Sequence, residues 1–229
     1  MSNIVALGYE PMTIVVRTLS DQVFEIVRDR IVAGTIRPDA PIRQDALAAE
    51  LGVSKIPLRE ALVRLEHEGL IHSQANRGYA VRSLSAEQAD EIYALRLSVE
   101  PQAAALGAVN ASDTDRAHAI ASLAALEDAR EAAPTEVAVR HRQFHVALVR
   151  PGDRMLTTQL IERLAMLAER YVIAHLAPAG RYARADREHR NLLDAWLDGD
   201  GATVERRMIR HLETTRVDLR AELLDPQAR

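Results

Sequence analysis

Apolar side chains recur along this chain at two periods. Val23, Ile26, Val27 and Ile31 stand at helical spacing behind Ser20, which can cap a helix that Gly34 stops. Residues 36–41 hold two prolines and read as a loop. Leu47 and Leu51 share one face of a short second helix ended by Gly52. Ser54 caps a third helix, which carries Leu58, Leu62 and Leu65 and closes at Gly69. Pro57 falls in its first turn, where a missing N–H costs little. After Gly69 the period shortens to two: residues 70–73 and 79–82 are strand candidates about a turn containing Asn76-Arg77-Gly78. Residues 1–16 show no pattern and read as a mobile lead-in.

Beyond Ser83 the helical period takes over. Ser85 with Gln88 fits a capping box, and Ile92, Leu95, Val99 and the alanines to Leu106 continue that helix to Gly107. Further helices fit 113–131, 135–149, 153–176, 182–198 and 201–224, broken by Pro134, Pro151-Gly152, Pro178-Ala179-Gly180 and Gly199-Asp200-Gly201. The expected fold is mainly α. An N-terminal winged helix-turn-helix covers residues 17–84, and a C-terminal antiparallel α-helical bundle covers residues 85–226.

Composition narrows the class. A 48% apolar share supports real cores. No apolar run approaches the roughly 20 residues needed to cross a bilayer. No signal-peptide pattern opens the chain, so a cytoplasmic location is expected. With no cysteine, disulfides, thiolate zinc sites and a cysteine nucleophile are excluded. The net charge of −4 argues against a nucleic-acid partner until its distribution is read. Residues 1–84 carry ten basic and ten acidic side chains, so the deficit lies wholly in the remainder. Within 53–82, Lys55, Arg59, Arg64, Arg77 and Arg82 face three acidic residues. Such a surface is local and modest, and two copies in a dimer would compensate.

In a helix-turn-helix the second helix crosses the DNA backbone, Gly52 permits the sharp turn, and the helix from Ser54 enters the major groove. Its first turn then presents Lys55, Ile56, Pro57 and Arg59 to DNA while Leu58, Leu62 and Leu65 are buried. The run Gln44-Asp45-Ala46-Leu47-Ala48-Ala49-Glu50-Leu51-Gly52-Val53-Ser54-Lys55-Ile56-Pro57-Leu58-Arg59-Glu60-Ala61-Leu62, with Leu65-Glu66-His67-Glu68-Gly69-Leu70 and the Asn76-Arg77-Gly78 wing, resembles the GntR family of bacterial regulators. The resemblance implies a homodimer on palindromic double-stranded operator DNA. It makes Lys55 and Arg59 the leading base or phosphate contacts, with Arg43, Ser54, Pro57, Arg77 and Gly78 bordering the DNA. One departure stands out: Asp45 occupies a position where many relatives carry arginine, and Arg43 is expected to substitute. The competing reading of residues 20–82 is a protein-interaction winged helix with a solvated charged face.

The second half holds histidines in a pattern of its own. His141 and His145 are spaced i,i+4 on one helix face. His145 borders an apolar stripe with Leu148 and Val149, as His189 does with Leu192, Leu193 and Trp196, and His211 with Val204 and Met208. Three helices thus aim imidazoles at an interior, where an unpaired polar group is costly. Periodicity leaves two readings, separately hydrogen-bonded histidines or a shared divalent metal. The segments Glu91-Ile92-Tyr93-Ala94-Leu95-Arg96, Glu100-Pro101, Phe144-His145, Glu188-His189 and His211-Leu212 resemble the FCD effector domain of the FadR-like branch of that family. In that domain an Asp or Asn four residues before a His, with two later histidines, holds a metal beneath an effector cavity. The resemblance therefore implies a metal site of His141, His145, His189 and His211, with His141 replacing the usual acidic or amide ligand. Four imidazoles would leave the ion more positive, favouring zinc or nickel and a small carboxylate effector; a three-histidine site without His141 is the variant. His175 is either a cavity residue or a satisfied histidine.

Arg96 is either half of a solvated pair with Glu100 or, as the resemblance implies, an effector contact. The arginine-rich stretch from Arg181 to Arg190 reads as a solvated helix face. A metal-dependent enzyme is the rival function. It lacks a general base, since Glu188 should point about 100° away from His189. Nor is there a Gly-rich phosphate loop, a nucleophile elbow or an HExxH motif. A pure metal sensor is a third reading. The expected function is a transcriptional regulator, not an enzyme, whose operator affinity a small molecule controls.

Overall fold

The structure is a computed structural model that describes residues 17–74, 77–176 and 180–224, without the side chains of 174–176. The unpatterned residues 1–16, the turn residue Asn76, the break at 177–179 and the His175 side chain lie outside it. The fold is mainly α, with a small three-stranded wing.

Helix α1 (Leu19–Val32) begins at Thr18 rather than Ser20. The spacing Thr18-x-x-Asp21 makes a reciprocal capping box: Thr18 Oγ1 accepts from the Asp21 N–H, and Asp21 accepts from the Thr18 N–H. Ser20 has no such partner three residues on and falls inside the helix. Strand β1 (Pro41–Ile42) is a short edge piece that the sequence hides in the expected loop. Its proline can sit there because an edge strand leaves one side unpaired. Helices α2 (Gln44–Leu51) and α3 (Lys55–His67) meet at Gly52, whose left-handed backbone (φ 66°) makes the turn. Strands β2 (Ile71–Gln74) and β3 (Gly78–Val81) pair antiparallel, His72 opposite Ala80 and Ser73 opposite Tyr79; β1 adds to the other edge of β3, giving the order β1-β3-β2. Val23, Val27, Leu58, Leu62, Leu65 and Ile71 are among the side chains of one core.

Residues from Ala89 to Leu219 contribute to a second core. Here α4 (Ala86–Asn110), α5 (Asp113–Asp128), α6 (Pro134–Val149), α7 (Met155–Leu176), α8 (Arg181–Leu197) and α9 (Gly201–Leu224) form the helical bundle. Ser85 caps α4 by accepting from the Gln88 N–H, but the Gln88 side chain accepts from Tyr171 Oη of α7 instead of closing the box. Gly107 does not stop α4. It is the point of closest approach to α6: a Cβ built there would lie 2.1 Å from the Leu148 carbonyl oxygen. That oxygen accepts from Trp196 Nε1 at 2.9 Å, so one small residue lets α4, α6 and α8 converge. The α7 helix also reaches the first core. Arg163 Nη2 donates to the His67 carbonyl at the end of α3, and Leu167 lies against Gly69.

Candidate metal centre and nucleic-acid interface

The turn geometry at Gly52 sets the N-terminus of α3 beside the start of α2 and leaves both exposed. Ser54 is the N-cap of α3, but its hydroxyl makes no capping bond, so the first-turn N–H groups of the helix are open to an anion. Ser54, Lys55 and Arg59 are exposed and Pro57 is half-buried. Ile56 is 70% exposed, a large apolar group offered to solvent in the same turn. Arg43, the N-cap of α2, is exposed too, as is Arg77 in the wing. Gly78 has φ +80°, a conformation that side chains resist, and sits against the Gln44 side chain. Among the described residues Arg43, Arg59 and Arg77 have no ion-pair partner. Lys55 differs: its Nζ lies 2.5 Å from Asp45 Oδ1 across the α2–α3 turn. Arg64, one of the five basic residues counted above, is engaged inside the domain by Asp21 and the Phe24 ring.

The four histidines converge. His141 and His145 come from α6, His189 from α8 and His211 from α9; one ring nitrogen of each lies within 4.8 Å of the others. All four are buried. His145 Nε2 and both nitrogens of His189 are buried without a hydrogen-bond partner among the described residues. A tetrahedral ion about 2.0–2.1 Å from each nitrogen would need them roughly 3.4 Å apart, a modest contraction of the cluster. Buried, unpartnered imidazoles in that number fit a borderline divalent cation, whereas separately satisfied histidines would show partners on every nitrogen.

Carboxylates orient two of the imidazoles. Glu100 Oε1 accepts from His145 Nδ1 at 2.5 Å, and Glu188 Oε2 accepts from His211 Nδ1 at 2.8 Å, which turns both Nε2 atoms toward the cluster. The expectation that Glu188 points away from His189 is met only locally, because its side chain reaches across to α9. The four imidazoles thus have two carboxylates behind them, Glu188 and Glu100, the latter also paired with Arg96. Burial pushes the Glu100 carboxyl up, but Arg96 and His145 outweigh it and hold it well below the usual carboxylate range. Burial holds His141 and His189 well below an ordinary imidazole, with neighbouring histidines adding to the effect. It takes His145 down to about 4 against the opposing pull of Glu100. His141, His145 and His189 are therefore neutral at pH 7, the form that binds a cation.

Arg96 is not half of a solvated pair. Only 1% exposed, it donates from Nε and Nη2 to both oxygens of Glu100. Beside the histidines a cavity of about 20 Å³, room for about one water, is lined in part by Tyr93, Arg96, His141, Arg184, Glu188 and Thr215. Arg184 reaches Asp218 and Glu188, Arg181 reaches Glu222, and Arg190 reaches Glu127. The arginine-rich helix is thus bound to its neighbours by ion pairs rather than merely solvated.

Known proteins resemble both halves. Residues 19–81 match the family profile described as bacterial regulatory proteins, gntR family, and residues 91–214 match the FCD domain. The chain is 36% identical over 70 residues to the HTH-type transcriptional regulator YdhC of Bacillus subtilis (strain 168), spanning 31% of that relative. It is 26% identical to the HTH-type transcriptional repressor RspR of Escherichia coli (strain K12), over 85% of this chain and 86% of that one. The solved structure of E. coli McbR/YncC superposes with a TM-score of 0.75 over 89% of this chain and 98% of that one; at 23% identity the likeness is one of fold.

Proposed function

Since the chain belongs to the GntR family of bacterial regulatory proteins and carries an FCD domain, we propose that it is an operator-binding transcriptional regulator governed by a small carboxylate held at a divalent metal, zinc or nickel. The reading unit is residues 17–84 and the sensing unit residues 85–226. The family and the relatives above are regulators, not enzymes. The observation that carries the sensing half is the set of four buried imidazoles, each with a nitrogen within 4.8 Å of the rest. His141, His145, His189 and His211 would hold the ion, which would supply a Lewis-acid anchor for a carboxylate oxygen. Arg96, at the cavity wall, supplies a cation on the same side, although Glu100 already engages it. At about 20 Å³ the cavity admits a carboxylate only if its α8 wall, with Arg184 and Glu188, moves outward.

On the DNA side, Lys55 and Arg59 address bases or phosphates from the first turns of α3, and Ser54 and Pro57 border the groove. Arg43 meets phosphate from α2, and Arg77 with Gly78 brings the wing to the backbone. Effector control requires a ligand that favours one arrangement of two such units over another. Helix α7 is suited to couple them: Arg142, next to His141 on α6, donates to the buried Glu169 of α7, and Arg163 of α7 holds the end of α3.

The small cavity favours one second reading, in which the ion itself is the signal. Protein purified without a nickel column is assayed by gel shift against duplexes selected from a randomised pool. Arms are apo protein, zinc alone, and zinc with a panel of mono-, di- and tricarboxylates. A change in affinity only with metal and a carboxylate supports the effector reading, and a change with zinc alone supports the metal sensor. If the protein enriches no sequence, or Arg59→Ala binds as wild type, the DNA-reading assignment is wrong.

A further inference from the structure

The ion pair between Lys55 and Asp45 singles out one cation of the DNA-facing surface. Arg43, Arg59 and Arg77 stand open to solvent, whereas the Lys55 ammonium is held 2.5 Å from a carboxylate on the preceding helix. The two side chains are 56% and 79% exposed, so neither is buried by the fold, and they stand in the first turns of α3 and α2. A surface pair of this kind adds little to stability. Asp45 also sits favourably in the first turn of α2. That structural role would be served by any orientation of its side chain, and does not require that it face the lysine of the next helix.

On DNA the pair has a definite consequence. An exposed carboxylate at this edge is repelled by phosphate, and it cancels the charge with which Lys55 would otherwise neutralise one. The pair is therefore poorly suited to backbone binding. It is well suited to a base edge that offers acceptors beside a donor. Guanine presents N7 and O6 to an ammonium with three N–H groups, and the cytosine paired with it presents the N4 amine to a carboxylate. Resting on the operator-binding reading above, we propose that Asp45 and Lys55 act as one unit that reads a G·C pair in each half-site, Lys55 donating to guanine and Asp45 accepting from cytosine N4. Asp45 is thereby a specificity residue. It removes Lys55 from the non-specific phosphate contacts and makes its contribution depend on sequence.

The test compares wild type, Asp45→Asn and Arg59→Ala, each confirmed folded by circular dichroism. Each selects from a duplex pool with a randomised core and is then titrated against its best duplex and a fixed unrelated duplex at several salt concentrations. The proposal expects Asp45→Asn to bind the unrelated duplex more tightly, with a log–log salt slope steeper by about 0.9, the value of one added phosphate contact. Its selected motif loses the G·C preference at one pair per half-site, and the ratio of specific to non-specific affinity falls by roughly five-fold or more. An unchanged slope and motif in Asp45→Asn, with Arg59→Ala losing sequence selection, overturns this proposal and leaves the operator-binding reading standing. If wild type selects nothing, both fall together.

Discussion

Glu100 Oε1 stands 2.5 Å from His145 Nδ1 while both Glu100 oxygens accept from Arg96, so one buried carboxylate joins the imidazole cluster to the cavity wall. The arrangement fixes the tautomer of His145 and presents Nε2 inward. Replacing Glu100 by glutamine removes the charge that orients and strengthens this ligand. Zinc affinity, measured by competition with a chromophoric chelator, should weaken about 10–100-fold. The same change leaves the Arg96 guanidinium buried without its counter-charge, which destabilises the fold. The double variant Arg96→Met/Glu100→Gln should recover melting temperature without recovering zinc affinity. Wild-type zinc affinity in Glu100→Gln would remove the orienting role.

Gly107 gives a prediction about packing. A methyl group there would meet the Leu148 carbonyl at 2.1 Å, and that carbonyl is pinned by Trp196. Backbone cannot give way as a side-chain tip can. Gly107→Ala should therefore destabilise the bundle by about 1–3 kcal/mol, despite the better helix propensity of alanine. Thermal unfolding monitored by circular dichroism checks this, and a stabilised Gly107→Ala would show that the helices can separate freely at this crossing.

Much of this was legible in the sequence because periodicity reports burial. The apolar spacing around His145, His189 and His211 placed all three inward, and they do meet. The i,i+4 spacing set His141 on the face of His145, and the resemblance made it a candidate ligand. Periodicity could not show that Glu188, on the neighbouring flank of α8, reaches His211, because that depends on how far α8 and α9 are apart. It left Arg96 undecided for the same reason: an i,i+4 pair looks identical in sequence whether α9 covers it or water does. Gly107 read as a stop because glycine serves both at helix ends and at close helix crossings. The two residues of β1 are too few for a period, and their proline counts against a strand. Asp45 stood out as a departure, but its partner Lys55 emerged only once the turn at Gly52 was folded.

The capping box of α1 gives a pH dependence. Hydrogen bonds from Thr18, aided by Arg64, take the Asp21 carboxyl from 3.8 down to about 2. A depressed folded-state value means that the carboxylate contributes stability above pH 3.8, and that the contribution is lost as pH falls toward 2. Asp21→Asn should melt below wild type by a constant margin between pH 5 and 7, as circular dichroism would follow. The margin should close progressively below pH 4 and vanish near pH 2. A margin independent of pH would assign the loss to geometry rather than charge.

Exposed apolar residues on α7 bear on the dimer that operator reading calls for. Met155 and Leu156 are 70% and 75% exposed, and Leu160, one turn beyond Leu156, is 45% exposed. Thr157, on the same stretch of α7, lines a groove of about 310 Å³ together with Val99 and Leu106 of α4. Two exposed leucines one turn apart are unfavourable in water, and a second copy of the chain would cover them. A two-fold axis there would bring the leucines of two chains together, as an isologous contact requires. Leu156→Glu/Leu160→Glu places four like charges at such a contact while leaving the buried Ile161 and Leu164 untouched. Light scattering after size exclusion should then report a monomer with wild-type helicity. Operator affinity should fall steeply, because each half-site would have to be bound without the other. A double variant that stays dimeric moves the interface elsewhere.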